Sequence, residues 1–374
     1  MKIKKLFFPL ILLSLVACSN SNVNKIETIN VENISVQELD DDEYIKEQDK
    51  KGDKTIAKKY KMENDNFSII EDSAFNGCTD LRNNRLENFA IRNSEVKVTI
   101  DKKRAKYVIY QMGEKNTCKK TLTIKDKITY KAAEHNGALY IETKDAKDDN
   151  AKRSLYKYDG KKLKLIQDGI NPVNNMVSVN GKLFVSYGLK LDVVSNDDKL
   201  INLKKKSKSQ VWSISGDKTH LNILFRNKKT EEFNVNRYTF EKDKEIKNIE
   251  DMNQISTKIL KFENSDSRKA IDKNVSASND KYVVHSEKMI CKIDYSSCKT
   301  TIIDGETIEN VVKDFIIYNS DRSYISYYLS NKKQVLSSLE IKYANLDKKE
   351  LLLKIYKNDE NEHEYFKYET KREY

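Results

Sequence analysis

The chain is poor in the residues on which most catalytic and cofactor chemistry depends. Its 374 residues include one Trp, two Pro, ten Gly and four His. No Gly-rich phosphate loop occurs, which argues against nucleotide handling. His135, His220, His285 and His363 stand far apart, with no His-Glu-x-x-His and no Cys-x-x-Cys to suggest zinc. His285 follows Tyr282-Val283-Val284 and reads as a strand residue, not as a ligand. No Gly-x-Ser-x-Gly elbow marks a serine nucleophile. Carboxylates are plentiful, but a glycosidase pair is defined by separation in space, so sequence order selects none. We therefore expect no cofactor and name no catalytic residue; a non-enzymatic role is favoured. Past the first eighteen residues no apolar run approaches the ~20 residues that a bilayer-spanning helix needs.

What is present starts at the N-terminus. Met1-Lys2-Ile3-Lys4-Lys5 is basic, Leu6 to Val16 is almost wholly apolar, and Leu15-Val16-Ala17-Cys18 closes the segment. The apolar part is too short to span a bilayer and suits a secretory signal. The closing tetrapeptide resembles the lipobox of bacterial lipoproteins. That resemblance implies a signal peptide over residues 1–17, cleavage before Cys18, and acylation of Cys18 with palmitate-type chains. Ser19 follows where many Gram-negative lipoproteins retained at the inner membrane carry Asp, so the implied address is the outer membrane. In a Gram-positive cell the same signal would mean the outer face of the plasma membrane.

Removing Lys2, Lys4 and Lys5 takes the net charge from +11 to about +8. Lysine dominates the excess, which we read as compositional habit; an exported address argues against a nucleic-acid partner. The basic run Lys204-Lys205-Lys206-Ser207-Lys208 reads as a solvated loop, with lipid phosphate or an acidic glycan as the functional alternative. Four cysteines follow Cys18: Cys78, Cys118, Cys291 and Cys298. An even number in an oxidising compartment predicts two disulfides, and proximity favours Cys78–Cys118 and Cys291–Cys298 among three connectivities. The second pair brackets Lys292 to Ser297, compatible with a stapled hairpin.

Residues 18–60 are rich in Asn, Ser, Asp, Glu and Lys, and include Glu38-Leu39-Asp40-Asp41-Asp42-Glu43. Such a segment buries too little apolar area to offset its ordering entropy and is expected to be a flexible tether. As a coil it would hold the body roughly 35–40 Å from the lipid, stretching to about 140 Å. Residues 61–374 form the expected folded domain.

That domain reads as successive strands. Val96-Lys97-Val98-Thr99-Ile100 alternates apolar with polar, and Thr121-Leu122-Thr123-Ile124 is β-branched. Asn136-Gly137, Asp159-Gly160 and Asn180-Gly181 predict two-residue type I′ turns, in which both central residues take positive φ. Turn-plus-strand units begin near Asp101, Gly137, Gly181, Asp217, Asp280 and Asp321. Most gaps lie near the ~40 residues of a four-stranded propeller blade. The 63-residue gap from Asp217 to Asp280 requires an insertion, placed within 228–267. The pattern resembles the generic blade of β-propellers and predicts an all-β propeller of about seven blades, with tandem β-sandwiches as the rival.

Specific propeller families fit poorly. The tryptophan-docking outer-membrane assembly lipoprotein is rich in Trp and Gly, whereas here Trp212 stands alone. Neither a sialidase Asp box nor a WD repeat is present. The 21 tyrosines suit either recognition surfaces or intersheet packing. The expected function is a lipid-anchored extracytoplasmic scaffold that binds a protein partner at the bacterial envelope. The alternatives are a glycan-binding or glycan-processing protein using the propeller face, and a surface-displayed adhesion or host-contact lipoprotein.

Overall fold

A computed structural model describes the backbone of residues 25–33, of strands between 65 and 130, of nearly all residues from 131 to 300, and of strands between 307 and 370. Side chains are described for 25–32, for most of 131–300, and for 307, 308 and 311.

The first two strands are β1 (Lys25–Asn33) and β2 (Asp65–Ile70). Blade one follows as β3 (Leu86–Ile91), β4 (Ser94–Asp101), β5 (Lys106–Met112) and β6 (Cys118–Lys125). Blade two is β7 (Lys127–His135), β8 (Ala138–Asp145), β9 (Arg153–Tyr158) and β10 (Leu163–Ile170). Blade three is β11 (Val173–Val179), β12 (Lys182–Tyr187), β13 (Lys190–Val194) and β14 (Leu200–Asn202). Blade four comprises β15 (Gln210–Gly216), β16 (Leu221–Arg226), β17 (Phe233–Thr239) and β18 (Asn253–Phe262). Blade five, reached through the short helix α1 (Ser265–Lys269), is β19 (Val275–Ser278), β20 (Tyr282–His285), β21 (Met289–Lys292) and β22 (Cys298–Thr300). Blade six is β23 (Thr307–Val312), β24 (Phe315–Ser320), β25 (Ser323–Tyr328) and β26 (Gln334–Ser337). The last three strands are β27 (Leu339–Asn345), β28 (Glu350–Tyr356) and β29 (His363–Thr370).

Each blade is an antiparallel meander in sequence order, and the last one is completed by β2, which pairs with β29. The result is an all-β propeller of seven four-stranded blades, closed by a strand from near the N-terminus. First strands of neighbouring blades approach one another and form the inner wall. Within an up-and-down blade, the turns after the first and third strands share one face of the ring. The turns after the second strand, and the links between blades, share the other.

Side-chain amides tie the inner wall together. Asn174 Nδ2 donates to the carbonyls of Trp212 (3.2 Å) and Gly188 (3.0 Å), and Asn175 Nδ2 donates to Ile214 O (2.9 Å). Both asparagines are buried, where an unpaired amide would cost about 1–3 kcal/mol. The cores lie between blades. One joins blades two and three through Tyr140, Leu155, Leu183 and Val185. Another joins blades three and four through Phe184, Ile214, Ile223 and Tyr238. A third joins blades four and five through Trp212, Leu224, Phe233, Val283 and Met289.

The turn chemistry holds at two of the three predicted sites. Asn136 and Gly137 take φ 48 and 70, and Asn180 and Gly181 take 43 and 74, as type I′ requires. Asp159-Gly160 differs. Tyr158 pairs with Leu163, so the connection is four residues long, and Asp159 Oδ1 accepts the N–H groups of Lys161 and Lys162, both at 2.8 Å. The Asp side chain thus organises a wider turn instead of adopting positive φ itself. The units at Gly137, Gly181, Asp217 and Asp280 are the first turns of four consecutive blades. Asp101 ends the second strand of blade one, half a blade out of phase, and Asp321 lies outside the described residues. The expected insertion between Asp217 and Asp280 comprises an excursion at 240–252 and the link at 263–274.

Cys291 and Cys298 form the expected disulfide, joining directly paired residues of β21 and β22 with Cα atoms 4.0 Å apart. The pair Cys78–Cys118 and the acceptor Cys18 lie outside the residues whose side chains are described.

The tether expectation needs one correction. Lys25–Asn33 is a strand that runs parallel to β18 from Lys25 to Val31 and meets β22 from Val31 to Asn33. It therefore merges blades four and five into one nine-stranded sheet. A polar segment is ordered here because two outer blade edges supply ready-made backbone partners. Val31 is fully buried in the core between these blades, Ile29 packs against it, and Glu27 pairs with Lys258 at 3.4 Å. The rest of 18–60 lies outside the described residues.

Candidate recognition cleft

A concavity among the described side chains is built on blade four. In β16 and β17, Phe225 faces Asn234, Ile223 faces Asn236 and Leu221 faces Tyr238. Period-two alternation puts these side chains on one flank of the blade, while Phe233 and Val235 enter the opposite core. The amides are held in place. Asn236 Nδ2 donates to Gln254 Oε1 (3.1 Å), Gln254 Nε2 donates to Thr257 Oγ1 (2.8 Å), and that hydroxyl donates to Asn236 Oδ1 (3.2 Å).

The far wall is the 240–252 excursion. Phe240, Ile246, Ile249 and Met252 bury their side chains in the core between blades three and four, which anchors this thirteen-residue connection. The Asp251 carboxylate accepts the N–H groups of Lys247 (2.8 Å) and Asn248 (2.7 Å), closing a single 3-10 turn over Ile249–Asp251. Ile249 N donates to Lys204 O at 2.9 Å, so the excursion is stitched to the link between blades three and four.

The resulting cleft has a volume of about 390 Å³ and is lined by Lys205, Phe225, Asn234, Asn236, Tyr238 and Gln254, among others. Lys205 is its distinctive group. Its ammonium lies 5.2 Å from the Phe225 ring centroid, and no hydrogen-bond acceptor reaches it among the described residues. Burial lowers its pKa, and the opposing effect of nearby Glu250 does not offset that. A desolvated cation over an aromatic face is stabilised by the ring quadrupole, by up to about 2 kcal/mol, yet keeps unused donor capacity. The cleft thus offers neutral amides that both donate and accept, two aromatic surfaces and one under-satisfied positive charge. That combination suits carboxylate-bearing or other polar ligands.

The composition of the lysine run predicts a solvated loop at Lys205. The run does link blades three and four as expected, but Lys205 itself is drawn against Phe225. No local pattern marks that contact, because its partner is twenty residues away on another blade.

The clusters around Asp198 and Asp217 are paired internally, whereas His285 Nδ1 and Glu142 Oε2 have no hydrogen-bond partner among the described residues. Asp198 accepts from Lys157 (2.7 Å), Lys164 (3.0 Å) and the Tyr140 hydroxyl (3.2 Å), linking blades two and three. His135 beside it contacts Ser178 Oγ at 2.9 Å, and burial with Lys157 nearby lowers its pKa to about 4. Asp217 Oδ1 accepts the N–H groups of Thr219 and His220, both at 2.8 Å, and Arg237 pairs with its other oxygen. Burial would raise the Asp217 pKa, but these donors override it and bring it to about 2. His285 is fully buried in β20, as a strand residue should be, with Nε2 2.9 Å from the Tyr295 hydroxyl. Burial lowers its pKa to about 4. Among the described residues no group of His, Cys, Asp and Glu side chains could hold a metal ion.

No family model matches the chain, and no curated protein sequence does. Solved structures similar to it include the N-terminal domain of Nup159, at 10% identity over 92% of this chain and 99% of that one, with a TM-score of 0.43. Kluyveromyces lactis Hsv2p aligns at 10% identity over 76% of this chain and 96% of its own, with a TM-score of 0.37. The AfRom2 CNH domain aligns at 9% identity over 82% and 100%, with a TM-score of 0.41. The seven-bladed reading rests on the strand order itself.

Proposed function

We propose that this chain is a lipid-anchored, extracytoplasmic binding scaffold whose propeller engages a protein partner at the bacterial envelope, attached to the outer membrane through acylated Cys18. The observation that carries the binding role is the cleft on blade four, where the Lys205 ammonium has no acceptor among the described residues and stands beside amide and aromatic side chains. An acidic, extended segment of the partner supplies what the cleft lacks. A carboxylate reaching Lys205 would form a charge-assisted hydrogen bond, and such bonds are about twice as strong as neutral ones. Peptide groups would meet Asn234, Asn236 and Gln254.

In vivo crosslinking from the cleft tests this reading. A photoreactive residue at Asn234 should yield a discrete adduct with an envelope protein, and Lys205→Glu should abolish it while leaving the ring folded. Absence of any adduct, or adducts indifferent to Lys205→Glu, would overturn the reading. A glycan is the second candidate ligand, favoured by the Tyr238 and Phe225 surfaces beside the amides. Saturation-transfer NMR with acidic cell-wall fragments distinguishes it from the protein partner.

A further inference from the structure

The position of β1 restricts how the ring can stand on its membrane. The inference deepens the anchoring reading above and rests on it. Between Cys18 and the first residue of β1 there are only six residues, Ser19 to Asn24. Seven residue steps span at most about 25 Å even when fully extended. A tether of 42 residues would permit several times that distance; docking of β1 removes the freedom.

The direction of β1 supplies the rest. Lys25 pairs with Ser256 near the start of β18, and the strands run parallel. The N-terminal end of β1 therefore lies at the ring face formed by the first and third turns of each blade, the face that also emits the 240–252 excursion. At this end stand two of the large apolar side chains that the described surface exposes, Ile26 at 69% and Ile255 at 37%. Ile26 pairs with Thr257, two residues beyond Ile255, so the two isoleucines are close neighbours on one sheet edge. Exposed apolar side chains next to the point where the chain leaves for its lipid form a coherent contact surface. Charges beside it are mixed: Lys25 pairs with Glu27, which also pairs with Lys258, and the excursion carries both signs. Apolar contact and the short leash, not net charge, define the orientation.

We propose that the propeller lies against the lipid surface with its blade-four and blade-five edge, Ile26 and Ile255 at the contact, held there by β1 acting as a rigid strap. The opposite face, made by the second turns and the interblade links, points away from the membrane. The Lys205 end of the cleft, beside the Phe225–Asn234 pair, lies toward that outer face.

Site-specific photocrosslinking to lipid tests the orientation. The full-length acylated protein is reconstituted into phosphatidylethanolamine–phosphatidylglycerol vesicles with a benzophenone side chain at position 26, 255 or 189. Leu189 is the control, because it is exposed in the second turn of blade three and so belongs to the opposite face. Lipid adducts should be several-fold more abundant at 26 and 255 than at 189. Equal yields at all three positions in protein whose acylation is confirmed by intact mass would overturn the orientation and leave the anchor standing. Protein made in its own host that carries no acyl mass would overturn the anchor and the orientation with it.

Discussion

Two strands from the N-terminal region enter the ring, and they do so in different ways. β2 is an integral fourth strand: it completes the last blade through six antiparallel pairs with β29. β1 is an addition: it lies parallel on the finished edges of β18 and β22 and belongs to no blade. An outer blade strand presents a row of unpaired backbone groups, and such edges recruit other strands. β2 satisfies one of these edges by closing the circle. β1 satisfies two at once, while burying little beyond Val31 and Ile29. The contrast separates what the ring needs in order to exist from what covers it.

Loss of β2 should therefore have the largest effect. A chain lacking residues 61–70 is expected to lose cooperative unfolding, seen as a broad thermal transition by circular dichroism. A chain lacking 25–33 should keep one cooperative transition at lower Tm and gain concentration-dependent association in sedimentation. Equal behaviour of the two deletions would erase the distinction drawn here.

Within β1 the apolar anchor is one residue. Val31→Asp places a carboxylate in the core between blades four and five and should cost about 3 kcal/mol. Fluorescence of Trp212, in the same core, reports the transition in urea. Ile26→Ser, at the exposed end of the same strand, should change stability by less than about 0.5 kcal/mol.

Removing the staple beneath β1 falls between these two effects. Cys291→Ser with Cys298→Ser opens a short loop and should cost about 2.5 kcal/mol by loop-closure entropy. The loss should match what reducing agent does to a chain carrying Cys78→Ser and Cys118→Ser, measured by the same denaturant midpoints.

Blades two and five also contain buried titratable groups that act with opposite signs. His285, in blade five, has its pKa lowered to about 4 by burial. The unfolded chain binds a proton at its imidazole below about 6.5 while the folded chain does not, so its contribution is lost as pH falls from 6.5 toward 4. Glu142, in blade two, has its pKa raised to about 7, chiefly by burial, against the opposing effects of the Val173 N–H, Arg153 and Lys131. The folded chain keeps this proton and the unfolded one releases it, so stability from Glu142 is lost as pH rises from about 4.5 to 7. Between about 4.5 and 6.5 the two slopes, each up to about 1.4 kcal/mol per pH unit, oppose one another. Glu142→Gln should unmask destabilisation toward acid, and His285→Phe combined with His135→Asn, because burial lowers the His135 pKa to about 4 as well, should unmask destabilisation toward neutral pH. Parallel profiles for both variants in chemical denaturation would refute the compensation.

Much of the ring was legible in the sequence. Asn136-Gly137 and Asn180-Gly181 announce hairpins because their backbone requirement is local, and their spacing announces blades. The Cys291–Cys298 hairpin is legible for the same reason. β1 is not: Ile26, Ile29 and Val31 sit among charged and amide residues, and the hydrogen bonds that order them come from strands more than two hundred residues away. The cleft escapes for a related reason. Lys205 belongs to a lysine run whose composition says solvent, and only packing against Phe225 sets it apart.

The parallel lie of β1 along β18 also has a mechanical side. On the proposed anchoring, a tug transmitted from the membrane enters at Lys25 and is directed along the strand, not across it. The seven paired positions from Lys25 to Val31 are then loaded together in shear, so they yield as a group, unlike the teeth of a zipper that open in succession. Drag on a large bound partner would be borne by this seam, and the ring itself would be spared.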